Sequence, residues 1–459
     1  MTDLLIEEPT GDLDPGAPVS RPVVAAVPSL RAVDPSRLLD HRPAATRLPA
    51  LGVPVGRAVI AWLLSGVEGG EVTLVEDGVS RTFRATAPDR YGRAELHATV
   101  HVHDPRFHTA IVGGGSSGIG EAYLQGWFDV DDLTAFLRLT ARAFRRFEAA
   151  RVRLHEVVGP VTDRLRRLRP ASRGRDRRNI AAHYDLGNDF FELFLDSTLT
   201  YSSGIFDAPD TSLAAAQTEK IDRLCRRLGL APGDRVVEIG SGWGAFAIHA
   251  ATRHGVHVVT TTLSAEQYAH TAARVRAAGL ADRIEVRNDD YRDLTGRYDA
   301  LVAVEMIEAV DWRELDTFLG HVGRLLEPTG AAGLQAIVMA APRYEVARSS
   351  RDFIKTHVFP GSHIPSVEAI LRAAGQRTDL VLTDLEDFGL HYAETLRRWA
   401  ATLDGERAAA LDLGLDDPFL RLWEFYLRYC EAGFEERQVS VVQLVLERPG
   451  RAPSLDRGH

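Results

Sequence analysis

Glu238, Gly240, Gly242 and Gly244 stand in the run VVEIGSGWGAFA, residues 236–247. A β-rich segment stops at an acid, meets a glycine at every second position and restarts as a helix. Glycine has no Cβ, so backbone at 240 and 242 can pass close beneath a flat ligand. The Gly-x-Gly-x-Gly spacing differs from the G-x-G-x-x-G turn that cradles a dinucleotide pyrophosphate. A second run, GGGSSGIG at 113–120, does look like a dinucleotide turn. It lacks a downstream Tyr-x-x-x-Lys base pair, because Lys220 and Lys355, the only lysines, follow Ala216 and Arg351 at that spacing. It is expected to serve a tight turn.

The elements that must position the first turn lie between residues 179 and 448. DRVVEIG, VHVVTTTL, RIEVRND, YDALVAVE and AAGLQAIVM are short β-rich runs, separated by helical stretches such as SAEQYAHTAARVRAAG. That alternation implies right-handed βαβ units and a parallel sheet covered on both faces. VSVVQLVLER supplies a final strand. In such a sheet, ligands bind at the carboxyl ends of the strands, where EIGSGWG lies. Residues 46–150 mix elements: GRAVIAWLLSGV is helical, EVTLVEDG and RTFRATA pair across a Gly turn, AELHATVHVHD alternates as a strand, and LTAFLRLTARAFRRFEAA is helical. Residues 1–45 and 449–459 are expected to be disordered tails, and 151–178 a basic linker.

Composition narrows the function. A net charge of −10 argues against a general nucleic-acid binder. Yet residues 138–178 carry fourteen Arg against four acids, a local balance of +10. This run is either a solvated helical face or a docking surface for anionic lipid head groups. Two cysteines, Cys225 and Cys430, form no disulfide framework, and no CxxC or Cys/His motif suggests a metal. A reducing, cytoplasmic setting is expected, with no signal peptide. The longest apolar run, AVIAWLL at 58–64, is far too short to span a bilayer.

The glycine turn resembles motif I of class I methyltransferases, which hold S-adenosylmethionine. HYDLGNDFFELFLDSTLTYSSGIF (183–206), TLSAEQ (262–267), VEMIEAV (304–310), FPGSHIPS (359–366), HYAETLRRW (391–399) and YLRYCEAGF (426–434) together resemble the cyclopropane-fatty-acyl-phospholipid synthase family. GIGEAYLQGWFDVDDL (118–133) resembles the N-terminal domain of its full-length members. The resemblance spans about residues 50–447. It implies a Rossmann-like, mostly parallel seven-stranded sheet with a helical lid insertion, and a smaller N-terminal α+β lipid-binding domain. It implies methylation of a double bond in an unsaturated acyl chain of a membrane phospholipid, by a homo-oligomer held peripherally at an anionic inner membrane face. VEMIEAV, LQAI, HYAETLR and EAGF look most like the branch that makes the 10-methylene precursor of tuberculostearic acid, whose product needs a separate reductase.

An alkene is a poor nucleophile, so the sulfonium methyl must be held in line, dry and close. The resemblance assigns Tyr201 and Ser202 to the methionine end of the cofactor, Glu238 to its ammonium, and Gly240, Gly242 and Gly244 to the turn beneath. Thr262 and Gln267 would take the ribose, and Asp290 and Tyr291 would flank the adenine. Family members hold a bicarbonate, thought to be the base, and its ligands map here onto Ser203, Glu308, Gln335, Tyr392 and the backbone of Ile337. Ser203 stands for a Cys, Gln335 for a His, and Ala309 for a second His. These replacements shift weight from bicarbonate to Glu308, which in an apolar pocket could act as the base itself.

Other residues carry weaker expectations. His183, Tyr184, Asp185 and Asn188 either close the site or pack. Phe353, Ile354, Val358 and Phe359 are candidates for an acyl slot or for core, and Cys430 is expected to pack. Two rivals remain at this level. A methyltransferase of a polar small molecule would show a closed polar pocket in place of an apolar channel. A lipid carrier with a decayed core would no longer bind the cofactor.

Overall fold

The computed structural model describes residues 52–145 and 187–452, apart from positions 87, 90 and 349. The expected tail 1–45, residues 453–459 of the expected tail 449–459, the basic linker 151–178, and His183, Tyr184 and Asp185 lie outside the described residues.

Residues 52–145 build a four-stranded sheet, order β2-β1-β3-β4, from β1 (Gly70–Glu76), β2 (Val79–Arg84), β3 (Leu96–Val102) and β4 (Phe128–Val130). Asp77 and Gly78, both at positive φ, make the β1–β2 turn, which is the backbone that a tight hairpin with right-handed twist needs. Helices Val53–Leu64, Arg106–Gly114, Ser116–Leu124 and a helix over 133–145 accompany the sheet. The decoy run GGGSSGIG is more than a turn. Gly115 makes the corner between two helices, and a Cβ at Gly118 would strike the Ala110 carbonyl oxygen. At Gly120 a Cβ would strike the ring of Phe353, brought in from the second unit.

The second unit holds a seven-stranded sheet, order β10-β11-β9-β8-β5-β6-β7, from β5 (Arg235–Ile239), β6 (His257–Thr261), β7 (Ile284–Arg287), β8 (Tyr298–Val304), β9 (Leu326–Val338), β10 (Val381–Asp387) and β11 (Ser440–Glu447). Only β11 runs against its neighbours. The sequence pattern missed β10, whose VLTDLED alternates exposed and half-buried residues at the sheet edge. One face packs helices Leu213–Arg227, Ala245–Arg253 and Ala265–Ala277; the other packs Leu315–Leu325 and Val367–Arg377.

Helices Asn188–Phe194, Gly389–Gly405 and Asp417–Glu435 lie outside this sandwich. They share one apolar core with the N-terminal unit, in which Phe190, Phe194, Trp399, Trp423 and Phe425 are buried together with Phe107, Phe128 and Phe136. A charge cluster seals the same junction. Glu436 is buried and accepts from Arg93, Arg138, Arg142 and Arg145 of the N-terminal unit at 2.7–3.1 Å. Three arginines of the basic run, at 138, 142 and 145, are therefore interdomain partners, a role that neither reading of that run foresaw. Packing side chains in a shared interior had no signature in the charge count.

Candidate active site

β5 has β6 and β7 on one side and β8 and β9 on the other, so the sheet's switch point falls at the carboxyl end of β5. A cavity of about 180 Å³ opens there. Tyr201, Ser202, Glu238, Gly240, Gly242, Thr262, Gln267 and Tyr291 all line it. Gly240 sits at φ +94°, and a Cβ would come 3.0 Å from Met306 Cγ, so the floor of the cavity requires glycine. Gly244 does a different job. It precedes helix Ala245–Arg253 at φ +88°, where a Cβ would meet Thr271 Cγ2 at 2.8 Å, and it is not part of the wall.

Asp290 is also displaced from its expected place. Its carboxylate forks onto Arg292 at 2.7 and 2.8 Å and caps the short turn Tyr291–Asp293. Asp289, one residue earlier, lines the cavity. Thr262 Oγ1 donates to Gln267 Oε1 at 2.9 Å, coupling the two residues assigned to the ribose. Asn188 does reach the glycine turn: Trp243 Nε1 donates to its Oδ1 at 2.7 Å.

Glu238 is 2% exposed and its carboxyl is pushed up to about 8 by burial, against one hydrogen bond from Thr260 at 2.6 Å. A buried acid held neutral for want of a cation fits a ligand with an ammonium and a sulfonium, because an opposite charge restores the ionised form. The donor set thus fits S-adenosylmethionine.

Three of the predicted anion ligands, Ser203, Gln335 and Tyr392, converge, but on a carboxylate of the chain itself. Glu305, at the end of β8, accepts from the backbone N–H of Ser203 at 2.9 Å, from Gln335 Nε2 at 2.8 Å and from Tyr392 OH at 2.6 Å. It is a non-glycine residue at φ +47°, a conformation that persists only when surroundings over-determine it. Ser203 contributes its backbone; its hydroxyl turns to the Gly204 carbonyl. Gln335 is held in turn by Gln443 at 3.1 Å. Ser203 and Gln335 line neither cavity and stand behind Glu305.

Glu308, the expected base, stands apart from these donors, on the wall of an adjoining cavity. Its Oε1 accepts from Ile337 N at 2.5 Å, and its buried Oε2 has no hydrogen-bond partner. Burial, then the nearby charge of Glu305, push its carboxyl up to about 8. Burial raises Glu305 too, while Lys220 pulls it down. Lys220 is wholly buried, burial brings it down to about 8, and its Nζ donates to Ser202 Oγ at 2.6 Å. With Gln217, which donates to the Ser202 carbonyl at 2.8 Å, it fixes the segment above the cofactor cavity. Neither Glu305 nor Lys220 figured in the sequence-based assignment. Glu305 had a signal: it is the first acid of VEMIEAV and stands where a parallel strand ends.

A second cavity, of about 520 Å³, adjoins the first. Its walls are largely apolar, with Ile337, Met339, Ile354, Phe359, Leu396 and Phe434 among them. Phe353 and Val358 are instead buried behind it. Cys430 lines it, and burial pushes that thiol far above its usual range. Gly114, Gly115, Ser116, Leu137 and Ala141 bring the N-terminal unit into the wall, and Arg343, Arg351 and Lys355 add cationic groups. The two cavities share three residues, Tyr201, Glu305 and Ala309.

A family model described as mycolic acid cyclopropane synthetase matches residues 171–444. The tuberculostearic acid methyltransferase UfaA1 of Mycobacterium tuberculosis is 41% identical over 369 residues, 78% of this chain and 86% of its own. The cyclopropane-fatty-acyl-phospholipid synthase of Escherichia coli is 32% identical over 355 residues, 76% of this chain and 88% of its own. Among solved structures, mycolic acid cyclopropane synthase CmaA1 complexed with SAH and CTAB is similar at a TM-score of 0.55 and 31% identity, over 59% of this chain and 98% of that one.

Proposed function

The chain belongs to the mycolic acid cyclopropane synthetase family of S-adenosylmethionine-dependent enzymes, and from that premise we propose that it methylates the double bond of an oleoyl-type chain esterified in a membrane phospholipid, giving a 10-methylene product. The observation that carries this function is the junction at Tyr201, Glu305 and Ala309, where the cradle at the glycine turn opens onto a larger cavity with a mainly apolar wall. Ile337, Met339, Ile354, Phe359, Leu396 and Phe434 give that cavity the apolar surface a hydrocarbon chain needs, and its cationic residues suit the phosphate of a lipid head group. Kinship with a tuberculostearic acid methyltransferase favours the exomethylene outcome over a ring.

Bound in the first cavity, S-adenosylmethionine supplies an electrophilic methyl group. Tyr201, Ser202, Glu238, Thr262, Gln267 and Tyr291 would hold it, with Gly240 and Gly242 beneath. Addition of that methyl to the alkene leaves a positive charge on the acyl chain. Glu305 stands at the junction as the fixed negative group that stabilises this charge. After a hydride shift, its carboxylate takes a proton from the new methyl group, and the C–H pair becomes the exocyclic double bond. Ser203 N–H, Gln335 and Tyr392 aim the carboxylate, which would take the place of a bound bicarbonate. The N-terminal unit would steer the lipid, since it forms part of the acyl cavity wall. No helix among the described residues is long and apolar enough to cross a membrane.

The test is purified protein with dioleoyl phospholipid vesicles and S-adenosylmethionine carrying a deuterated methyl. Mass spectrometry should find a branched acyl chain retaining two deuteriums, with no ring. A cyclopropane would correct the product; an unmodified acyl chain, with cofactor bound, would reject the substrate.

A further inference from the structure

Asp222, His249 and His254 come together on the sheet face formed by helices Leu213–Arg227 and Ala245–Arg253. They are dispersed in sequence, so no spacing motif announces them. His249 Nε2 and His254 Nε2 each lie 3.0 Å from the same oxygen, Asp222 Oδ1. The three atoms fall within 4.8 Å of one another, and the two imidazole rings are 6.0 Å apart. Two hydrogen bonds into one oxygen would require both rings to carry their proton on Nε2. Proton positions on histidine are assigned, not seen, and the heavy-atom arrangement equally suits two imidazoles and a carboxylate turned toward one cation. In a tetrahedral site with ligands at ~2.0–2.2 Å, donor atoms sit ~3.3–3.6 Å from one another, a few tenths of an ångström beyond the 3.0 Å between the oxygen and each nitrogen here.

The surroundings orient the donors. Arg226 takes the other oxygen of Asp222, leaving Oδ1 for the imidazoles, and Arg226 is itself paired with Glu219 at 2.9 Å. Metal-binding carboxylates commonly have such a partner on the free oxygen. His254 caps the C-terminal end of helix Ala245–Arg253, where the helix dipole favours positive charge. The three side chains are 14–24% exposed, reachable from solvent yet held in place.

We propose that Asp222, His249 and His254 form a structural site for a borderline divalent cation of the Zn²⁺, Co²⁺ or Ni²⁺ class, completed by water. Two imidazoles with one carboxylate select such ions over Mg²⁺ or Ca²⁺, which prefer all-oxygen shells. The ion would clamp two helices whose other residues, Lys220 and Ile221 on one and Ala245 and Phe246 on the other, line the cofactor cavity. Neither cavity includes the three ligands, so the role is clamping and not chemistry.

Tag-free full-length protein, stripped with chelator, is titrated with Zn²⁺ by calorimetry and with Co²⁺ by visible absorption. One ion per chain, a Co²⁺ d–d band and a Zn²⁺-dependent rise in melting temperature that EDTA reverses are expected. H249Q/H254Q should bind more weakly by over ~100-fold, beyond the ~10–100-fold typical of losing an outer-shell partner. The single variants D222N and H254Q provide the same comparison should the double variant fold poorly. In the absence of metal, each variant should keep its S-adenosylmethionine affinity. The inference is overturned if the native chain shows no saturable binding, or if the variants bind the ions as tightly as the native chain does.

Discussion

Glu305 gains its importance from what points at it. Burial raises its pKa above that of an exposed glutamate, and a base must be ionised to accept a proton. The rate should therefore climb with pH along a limb lying above the usual carboxylate range. E305Q should remove that limb and lower kcat by about 100-fold or more, with calorimetric cofactor affinity retained. E308Q should keep the limb; if the two variants exchange behaviours, Glu308 is the base. K220M removes the charge that holds Glu305 down, so its limb should move to higher pH, an effect read in the same profiles. Glu308 itself shapes stability. Its folded pKa, about 8, lies above the unfolded value of 4.5. The folded state then binds the extra proton between those values, and stability falls as pH rises through that window, each pKa unit being worth about 1.4 kcal/mol. Urea midpoints at pH 5 and pH 8 should drop less in E308Q than in the native chain.

At the scale of elements, the site depends on a strand end, a glycine turn and one helix. The turn after β5 works because Gly240 is both at positive φ and pressed against Met306. An alanine there meets a left-handed backbone cost of about 1–2 kcal/mol, and Met306 must also give way. G240A should thus weaken S-adenosylmethionine binding by roughly tenfold or more, measured by calorimetry, while β5 and β6 keep the sheet intact. Helix Leu213–Arg227 fixes the segment above the cofactor through Gln217 and Lys220, both fully buried. Its buried residues, Ala216, Gln217, Lys220, Ile221, Leu224 and Cys225, recur at helical spacing. Which of its buried polar residues would grip residues 200–202 was not visible until the fold placed them together.

For the whole molecule, the acyl cavity and the domain junction are one construction. Helix Asp417–Glu435 gives Tyr426, Tyr429, Cys430 and Phe434 to the cavity wall, and Glu436 just beyond it receives four arginines from the other unit. Removing one partner of a buried ion cluster leaves the others uncompensated, at about 3–5 kcal/mol. E436A should lower the calorimetric melting temperature clearly and reduce turnover on vesicles, with the cofactor cavity, which lies elsewhere, still binding.

The sequence alone determined what short-range physics governs. Strand runs, the Asp77–Gly78 hairpin and the glycine turn all rest on residues a few positions apart, where periodicity and backbone preference decide. The motifs also named Ser203, Gln335 and Tyr392 as parts of one centre. Only the tertiary structure decided what that centre surrounds. The donors to Glu305 come from 102 residues before it and from 30 and 87 residues after it. Two glutamates three positions apart in VEMIEAV are equivalent by composition, and one turn of backbone at positive φ sends the first into the donors and leaves the second on Ile337. Such a choice is fixed by the packing of distant segments, to which local propensity is blind.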